Sequence, residues 1–218
     1  MTLSALADRL SAGVQALGLA LSPAQEGQLL DYLGLIQKWN QVYNLTAVRD
    51  PQEMLSHHLL DSLAVVGPLR RHTVGRALRL LDVGSGAGLP GVVIAICCPE
   101  LTVDCVDTVG KKAAFIQQAA LTLKLPNLRG LHSRVERLAG PYDLIISRAF
   151  ASLADFVNGS GGALGEGGVW LAMKGKHPAE EVAALPAGVG VFHVEPLQVP
   201  GLGAERCLLW LKKGGSVT

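Results

Sequence analysis

Apolar residues recur at helical spacing through the first third of the chain, and then the rhythm changes. Leu3, Leu6, Leu10, Val14 and Leu17 share one face of a helix over residues 2–20, and Gly18 marks its end. Ser22-Pro23, with Glu26 three residues beyond the proline, reads as an N-cap with proline in the first turn. Leu29, Leu30, Leu33 and Ile36 carry this second helix to about Trp39, and residues 40–44 read as a turn. Asp50-Pro51 opens a further helix with Met54, Leu55, His58, Leu59, Ser62 and Leu63 on one face. Residues 1–75 are expected to form a helical extension packed on the domain that follows. The basic stretch 70–76 serves as the joint.

From Ala77 onward, short apolar runs alternate with helical stretches. Strands are predicted over 78–83, 101–107, 128–132, 142–147 and 167–173, with helices after Pro90 and over 111–124. Two last strands, 190–197 and 206–211, have no helix between them and suggest a hairpin with one strand inserted antiparallel. The expected fold is α/β: a doubly wound sheet of about seven strands over residues 76–218, carrying the helical extension.

The densest chemical signal is the turn after the first of these strands. Asp82-Val83-Gly84-Ser85-Gly86-Ala87-Gly88-Leu89-Pro90-Gly91 runs from a buried strand through three glycines into an apolar helix. Gly84, Gly86 and Gly88 permit positive φ and leave room for a ligand against the backbone. Residues 86–91 match G-x-G-x-x-G, so a dinucleotide is one reading. Asp82 ahead of the glycines and Pro90 at the helix start disfavour a pyrophosphate and suit a cationic nucleoside such as S-adenosylmethionine. A purely structural turn is a third reading. Asp107 ends the second strand, where a carboxylate can accept both ribose hydroxyls or cap the next helix. The polar turn 133–138 follows the third strand, where an adenine would rest.

The turn Ser147-Arg148-Ala149-Phe150 follows the fourth strand and faces the group that would be modified. It lacks the Asp/Asn-Pro-Pro-aromatic sequence that polarises an exocyclic amine. No Pro-Cys nucleophile is present, because Cys98-Pro99 is reversed. A ring nitrogen with a free lone pair, such as guanine N7, fits these absences, since it needs positioning and no base. Arg148 offers a fixed positive fork for a phosphate or a base edge.

Bulk properties narrow the class. The 218 residues are 49% hydrophobic and 17% charged, which suits a folded protein with a substantial core. There is no signal-peptide pattern and no apolar run of membrane-spanning length, so a cytoplasmic location without membrane partners is expected. Cys97, Cys98, Cys105 and Cys207 lie in apolar patterns without metal-ligand spacing, so buried thiols and no metal are expected. Net charge is only +1, but residues 76–150 hold nine Lys/Arg against six Asp/Glu. The positive excess thus falls in the segment that carries the glycine loop.

Several separated motifs together resemble the bacterial small-subunit ribosomal RNA methyltransferase G family, also called glucose-inhibited division protein B. They are Trp39-Asn40-x-x-Tyr43-Asn44-Leu45-Thr46-x-Val48-Arg49-Asp50, His58-x-x-Asp61-Ser62, the stretch 81–91, and Ser133-Arg134-Val135-Glu136. Ile146 to Leu153, Met173-Lys174-Gly175, and Val199-Pro200-Gly201 with Glu205-Arg206 complete the match. The resemblance covers roughly residues 25–212. It implies a Rossmann-like class I S-adenosylmethionine-dependent methyltransferase fold. It also implies methyl transfer to N7 of guanine 527 in 16S ribosomal RNA. By position, Asp82, Gly84, Gly86, Gly88, Leu89 and Asp107 would form the cofactor site, with Val135 and Glu136 at the adenine. Arg148 would border both cofactor and base. Thr108 stands where serine often follows the aspartate and keeps the hydroxyl.

Lys111, Arg134, Arg148, Lys174 and Arg206 sit at or just after predicted strand ends and turns and are expected to meet RNA phosphates and the flipped guanine. The modest net charge points to a 30S subunit or assembly particle as the partner. Two alternatives are an NAD(P)-dependent oxidoreductase and a non-catalytic ribosome-binding protein on the same fold. The first lacks a Tyr-x-x-x-Lys or comparable hydride-site motif.

Overall fold

The computed structural model describes residues 3–148, 150 and 152–214; Ala149 and Ala151 of the turn after the fourth strand lie outside it. The N-terminal helices are α1 (Leu3–Ala16) and α2 (Pro23–Tyr43). Ser22 caps α2, but its partner is Gln25 and not Glu26. The Gln25 amide donates to Ser22 Oγ at 3.2 Å, and Gln25 Oε1 accepts from the Ser22 amide at 3.0 Å. α2 also runs past the predicted stop at Trp39. Asn40 was expected in a turn because its side chain competes with helix backbone. Here that side chain reaches forward, accepting from the Thr46 amide at 3.0 Å and donating to the Val48 carbonyl at 3.4 Å. The helix ends only at Asn44, in the left-handed conformation.

A single helical run follows: α3 (Pro51–Met54), a π-helical segment (Leu55–Leu60) and α4 (Asp61–Leu63). α5 (Val66–Thr73) leads into the sheet. The sheet comprises β1 (Arg79–Val83), β2 (Thr102–Asp107), β3 (Leu128–His132), β4 (Tyr142–Ser147), β5 (Leu164–Lys174), β6 (Val189–Leu197) and β7 (Arg206–Lys213). Between the strands lie α6 (Gly91–Cys97), α7 (Gly110–Thr122), a 3-10 turn (Val135–Arg137), α8 (Leu153–Ser160) and α9 (Ala179–Ala183). Strand order is β3-β2-β1-β4-β5-β7-β6. β1 to β5 are parallel, and β7 inserts antiparallel between β5 and β6. The terminal hairpin is therefore as the sequence pattern predicted.

Successive side chains on a strand point to opposite faces, and the core divides accordingly. Leu80, Leu144, Ile146 and Leu171 join one cluster with Leu29, Leu33, Val92 and Phe115. Leu81, Ile145, Trp170 and Ala172 join the other with Leu153 and Phe156. The first cluster also contains Leu6, Leu10, Leu55 and Leu59, so the N-terminal helices share a core with one sheet face. β5 begins at Leu164, three residues before the predicted start, and runs through Gly165, Gly167 and Gly168. A side chain at Gly168 would press on the Tyr142 carbonyl at 3.0 Å, so the glycine permits the close approach of β4. Asp104, midway along β2, is buried and occupied: Arg129 forks onto it at 2.7 and 2.8 Å, and the Tyr142 hydroxyl donates to it at 2.8 Å. This explains why that acid stays out of the site at the strand ends.

Candidate active site

The parallel strands present their carboxyl ends to one edge, where two clefts adjoin. The first has a volume of about 280 Å³ and lies over β1, β2 and β3. Val83, Gly84, Val106, Asp107, Thr108, Arg134, Val135, Glu136 and Phe150 are among its walls. The second, of about 320 Å³, lies over β4 and β5. It is lined by His57, His58, Asp61, Arg148, Met173, Lys174, Gly175 and Arg206. Lys174 bridges them, with Nζ 3.3 Å from the Phe150 carbonyl and 2.8 Å from Glu181.

The floor of the first cleft is the glycine turn. Gly84, Gly86 and Gly88 all have positive φ, at 67°, 59° and 87°. At Gly84 and Gly86 a side chain would project into open space, so their bareness is what keeps the cradle empty for a ligand. The turn is fixed from three directions. The Tyr32 hydroxyl on α2, kept protonated by burial, donates to the Ala87 carbonyl at 2.5 Å. Asp107 Oδ2 accepts from the Gly86 amide at 3.0 Å, while Oδ1 accepts from the Val109 amide at 2.8 Å. The Gly91 amide donates to Asp82 Oδ2 at 2.8 Å.

Asp107 orders the entry to α7, one of the two roles expected of it. It also lines the cleft wall, where each of its oxygens retains a lone pair. Asp82 differs from expectation. It is fully buried beneath the turn and does not line the cleft, so it supports the cradle from below. Leu89 and Gly88 are likewise buried behind the cleft wall, with Leu89 in the core, while Gly86 is half-exposed on the turn.

Burial pushes the Asp82 carboxyl up to about 7, against the opposing pull of the Gly91 amide, and Oδ1 has no hydrogen-bond partner. A carboxyl raised in the folded state binds its proton more tightly there than in the unfolded chain. Its contribution to stability is therefore greatest below about pH 4 and is lost as pH rises towards 7. Burial, reinforced by Arg148, holds the His58 imidazole down at about 4, and this works in the opposite sense over the same range. Comparison with Asp82→Asn isolates the acid. The variant should gain on the wild type by up to about 4 kcal/mol between pH 4 and 8 in urea titrations. A constant difference across that range would show that Asp82 does not titrate there.

The second cleft is a cationic pocket built over a single carboxylate. Asp61, buried, takes Arg148 Nη1 on Oδ2 at 3.2 Å and Arg206 Nε on Oδ1 at 2.9 Å. Arg148 Nη1 also donates to the His57 carbonyl at 2.9 Å, and Arg206 Nη1 to the Glu205 carbonyl at 2.9 Å. His58 is buried and neutral, with Nε2 2.8 Å from Thr46 Oγ1. This pairing ties the 44–50 loop to the pocket. The π-helical turn, a form that often marks functional positions, supplies His57 and His58, and Asp61 follows directly.

Of the five basic residues expected at RNA, Arg148, Lys174 and Arg206 meet in this pocket. Arg134 lies instead on the first cleft, and Lys111 is exposed in the first turn of α7. Sequence reasoning gave no role to His57, His58 or Asp61. The available signals were the His58-x-x-Asp61-Ser62 motif of the family resemblance and a histidine on an otherwise apolar helical face. Among the described residues no group of three or more His, Cys, Asp or Glu is arranged to hold a metal ion. None of the described helices is long and apolar enough to cross a membrane.

A sheet in this order with its antiparallel insertion, a glycine turn after β1 and an acid at the end of β2 define a class I S-adenosylmethionine-dependent methyltransferase. Solved structures share the fold. A SAM-dependent methyltransferase from Aquifex aeolicus matches with a TM-score of 0.57 at 16% identity, over 77% of this chain and 96% of that one. The 1,6-didemethyltoxoflavin-N1-methyltransferase of Burkholderia thailandensis, solved with S-adenosylhomocysteine, also gives 0.57, at 15% identity over 85% and 90%. The family described as rRNA small subunit methyltransferase G matches residues 25–209. The ribosomal RNA small subunit methyltransferase G of Acidovorax ebreus strain TPSY is 68% identical over 217 residues, covering 96% of each chain. The chain belongs to the rRNA small subunit methyltransferase G family.

Proposed function

We propose that the protein transfers a methyl group from S-adenosylmethionine to N7 of guanine 527 in 16S ribosomal RNA, within a 30S subunit or assembly particle. The cofactor, when bound, supplies an electrophilic methyl group. The first cleft suits it chemically. Asp107 can accept ribose hydroxyls, Val135 offers an apolar wall for an adenine beside Glu136, and the bare turn at Gly84 and Gly86 leaves space for the amino-acid portion.

The observation that carries the acceptor assignment is the state of the second pocket. Its carboxylate is committed to two arginines, and its buried imidazole, held down at about 4, is a weak base with Nε2 bonded to Thr46. Neither group is poised to remove a proton. An acceptor that needs no deprotonation fits such a pocket, and N7 of guanine is one. The protein's work is then to hold that nitrogen in line with the methyl group. Arg148, Lys174 and Arg206 supply the positive charge that an RNA strand requires.

Arg148→Ala separates the two clefts. Methyl transfer to 30S particles should fall about 100-fold in kcat/KM, while S-adenosylmethionine affinity by calorimetry changes less than about threefold. Parallel loss of both would return Arg148 to the cofactor site. The reading as a whole is tested by transfer of labelled methyl to purified 30S particles, set against 50S particles as acceptor and against calorimetry with NADH. Label in 50S alone, or tight NADH binding without transfer, would overturn it.

A further inference from the structure

Two guanidiniums from distant parts of the chain converge on one buried acid. Arg148 follows β4, Arg206 opens β7, and Asp61 sits where the π-helical turn reverts to α-helix. Each oxygen of Asp61 takes one arginine. The side chains of both arginines remain about a quarter exposed, at 24% and 25%, whereas that of Asp61 is at 4%. The acid therefore lies underneath and the cations face the pocket. A guanidinium carries a fan of N–H donors, and the bonds to Asp61, His57 and Glu205 engage only some of them.

The charge left over points to the ligand. Two arginines and one carboxylate leave a net charge of one positive unit, since Lys174 is matched by Glu181. One phosphodiester group balances that unit. A base edge is the poorer ligand. An arginine fork on guanine takes O6 and N7 together, and here the N7 lone pair must stay free to attack.

We infer that Asp61 is a positioning residue that sets Arg148 and Arg206 as a two-armed clamp for one backbone phosphate beside the acceptor base. The inference rests on the RNA methyltransferase reading above. Fixing both arms beforehand spares the ordering cost when RNA arrives. It also keeps the arginines off the nucleophilic nitrogen. A mere structural strut between the helix and the sheet would stabilise the fold without setting how strongly binding depends on salt.

The test uses full-length protein and 30S particles. Wild type, Asp61→Asn, Asp61→Glu, Arg206→Gln and the double variant Asp61→Asn/Arg206→Gln are compared. Cofactor binding and thermal melting report on folding. Asp61→Asn should raise KM for 30S about tenfold while kcat falls less than about threefold. In Arg206→Gln, which removes one cation, the slope of log affinity against log salt should flatten by about one unit. Asp61→Glu should recover part of the loss. The double variant should cost little more than the worse single one, because the residues act as a unit. Additive losses, or a wild-type salt slope in Arg206→Gln, would overturn the clamp. If Asp61→Asn fails to bind cofactor, Arg206→Gln alone decides, since it keeps the Asp61–Arg148 pair. Absence of transfer by the wild type, with cofactor bound, would instead overturn the underlying reading.

Discussion

Replacing Asp107 by alanine is expected to weaken S-adenosylmethionine binding about 100-fold or more. The carboxylate lines the first cleft, and in the proposed function it accepts the ligand hydroxyls there. Hydrogen bonds to a charged group are worth about 1.5–3 kcal/mol each, and two powers of ten correspond to about 2.7 kcal/mol. The same substitution leaves the Gly86 and Val109 amides without their side-chain acceptor, so the turn and the start of α7 loosen together. Asp107→Asn keeps the shape and one good acceptor, and should lose about tenfold. Calorimetry with S-adenosylmethionine measures both. Affinities within about threefold of wild type for the two variants would remove Asp107 from the cofactor site.

The second large effect is on stability, at Gly91. A methyl group there would stand 2.3 Å from Cys105 Sγ and 2.8 Å from Asp82 Oδ2, all within the packed interior. Core crowding of this kind costs about 1–3 kcal/mol and sometimes more. For a chain of this size that lowers Tm by about 2–12 °C. The damage also has a location. Cys105→Ala removes the nearer obstacle, so Gly91→Ala/Cys105→Ala should recover about half of the loss. Strictly additive melting temperatures would mean that the crowding lies elsewhere.

How much of this could be seen in the sequence depended on how locally each feature is encoded. The glycine turn, Asp107 and the 133–138 turn each lie at the end of a recognisable strand, so their place at one edge followed from alternation and punctuation alone. The terminal hairpin followed from the missing helix between 197 and 206. Asp82 was placed correctly on its strand but not in its depth. How deep a side chain near the end of a strand lies depends on the packing of α6 above it, and the Gly91 amide holds the acid from that side. Asn40 misled, because its intrinsic preference for turns was outweighed by two loop bonds that only the folded chain supplies. The acceptor pocket was the least legible part. Asp61 meets partners 87 and 145 residues away, and no local spacing records such a meeting. In the sequence, His58 and Asp61 stood out as part of a family motif, with His58 on an apolar helical face, but nothing gave either a role. Their role appears only when β4 and β7 bring the arginines over them.

The most direct measurement of the central claim is the position of the transferred methyl group. Purified protein is incubated with methyl-labelled S-adenosylmethionine and 30S particles that lack the modification. The 16S RNA is then cleaved chemically at N7-methylguanosine. One new cleavage is expected at guanine 527, absent without the cofactor and strongly reduced with Arg148→Ala. Label on an exocyclic amine, a ribose or a pyrimidine carbon would contradict it, as would N7 methylation at a different guanine.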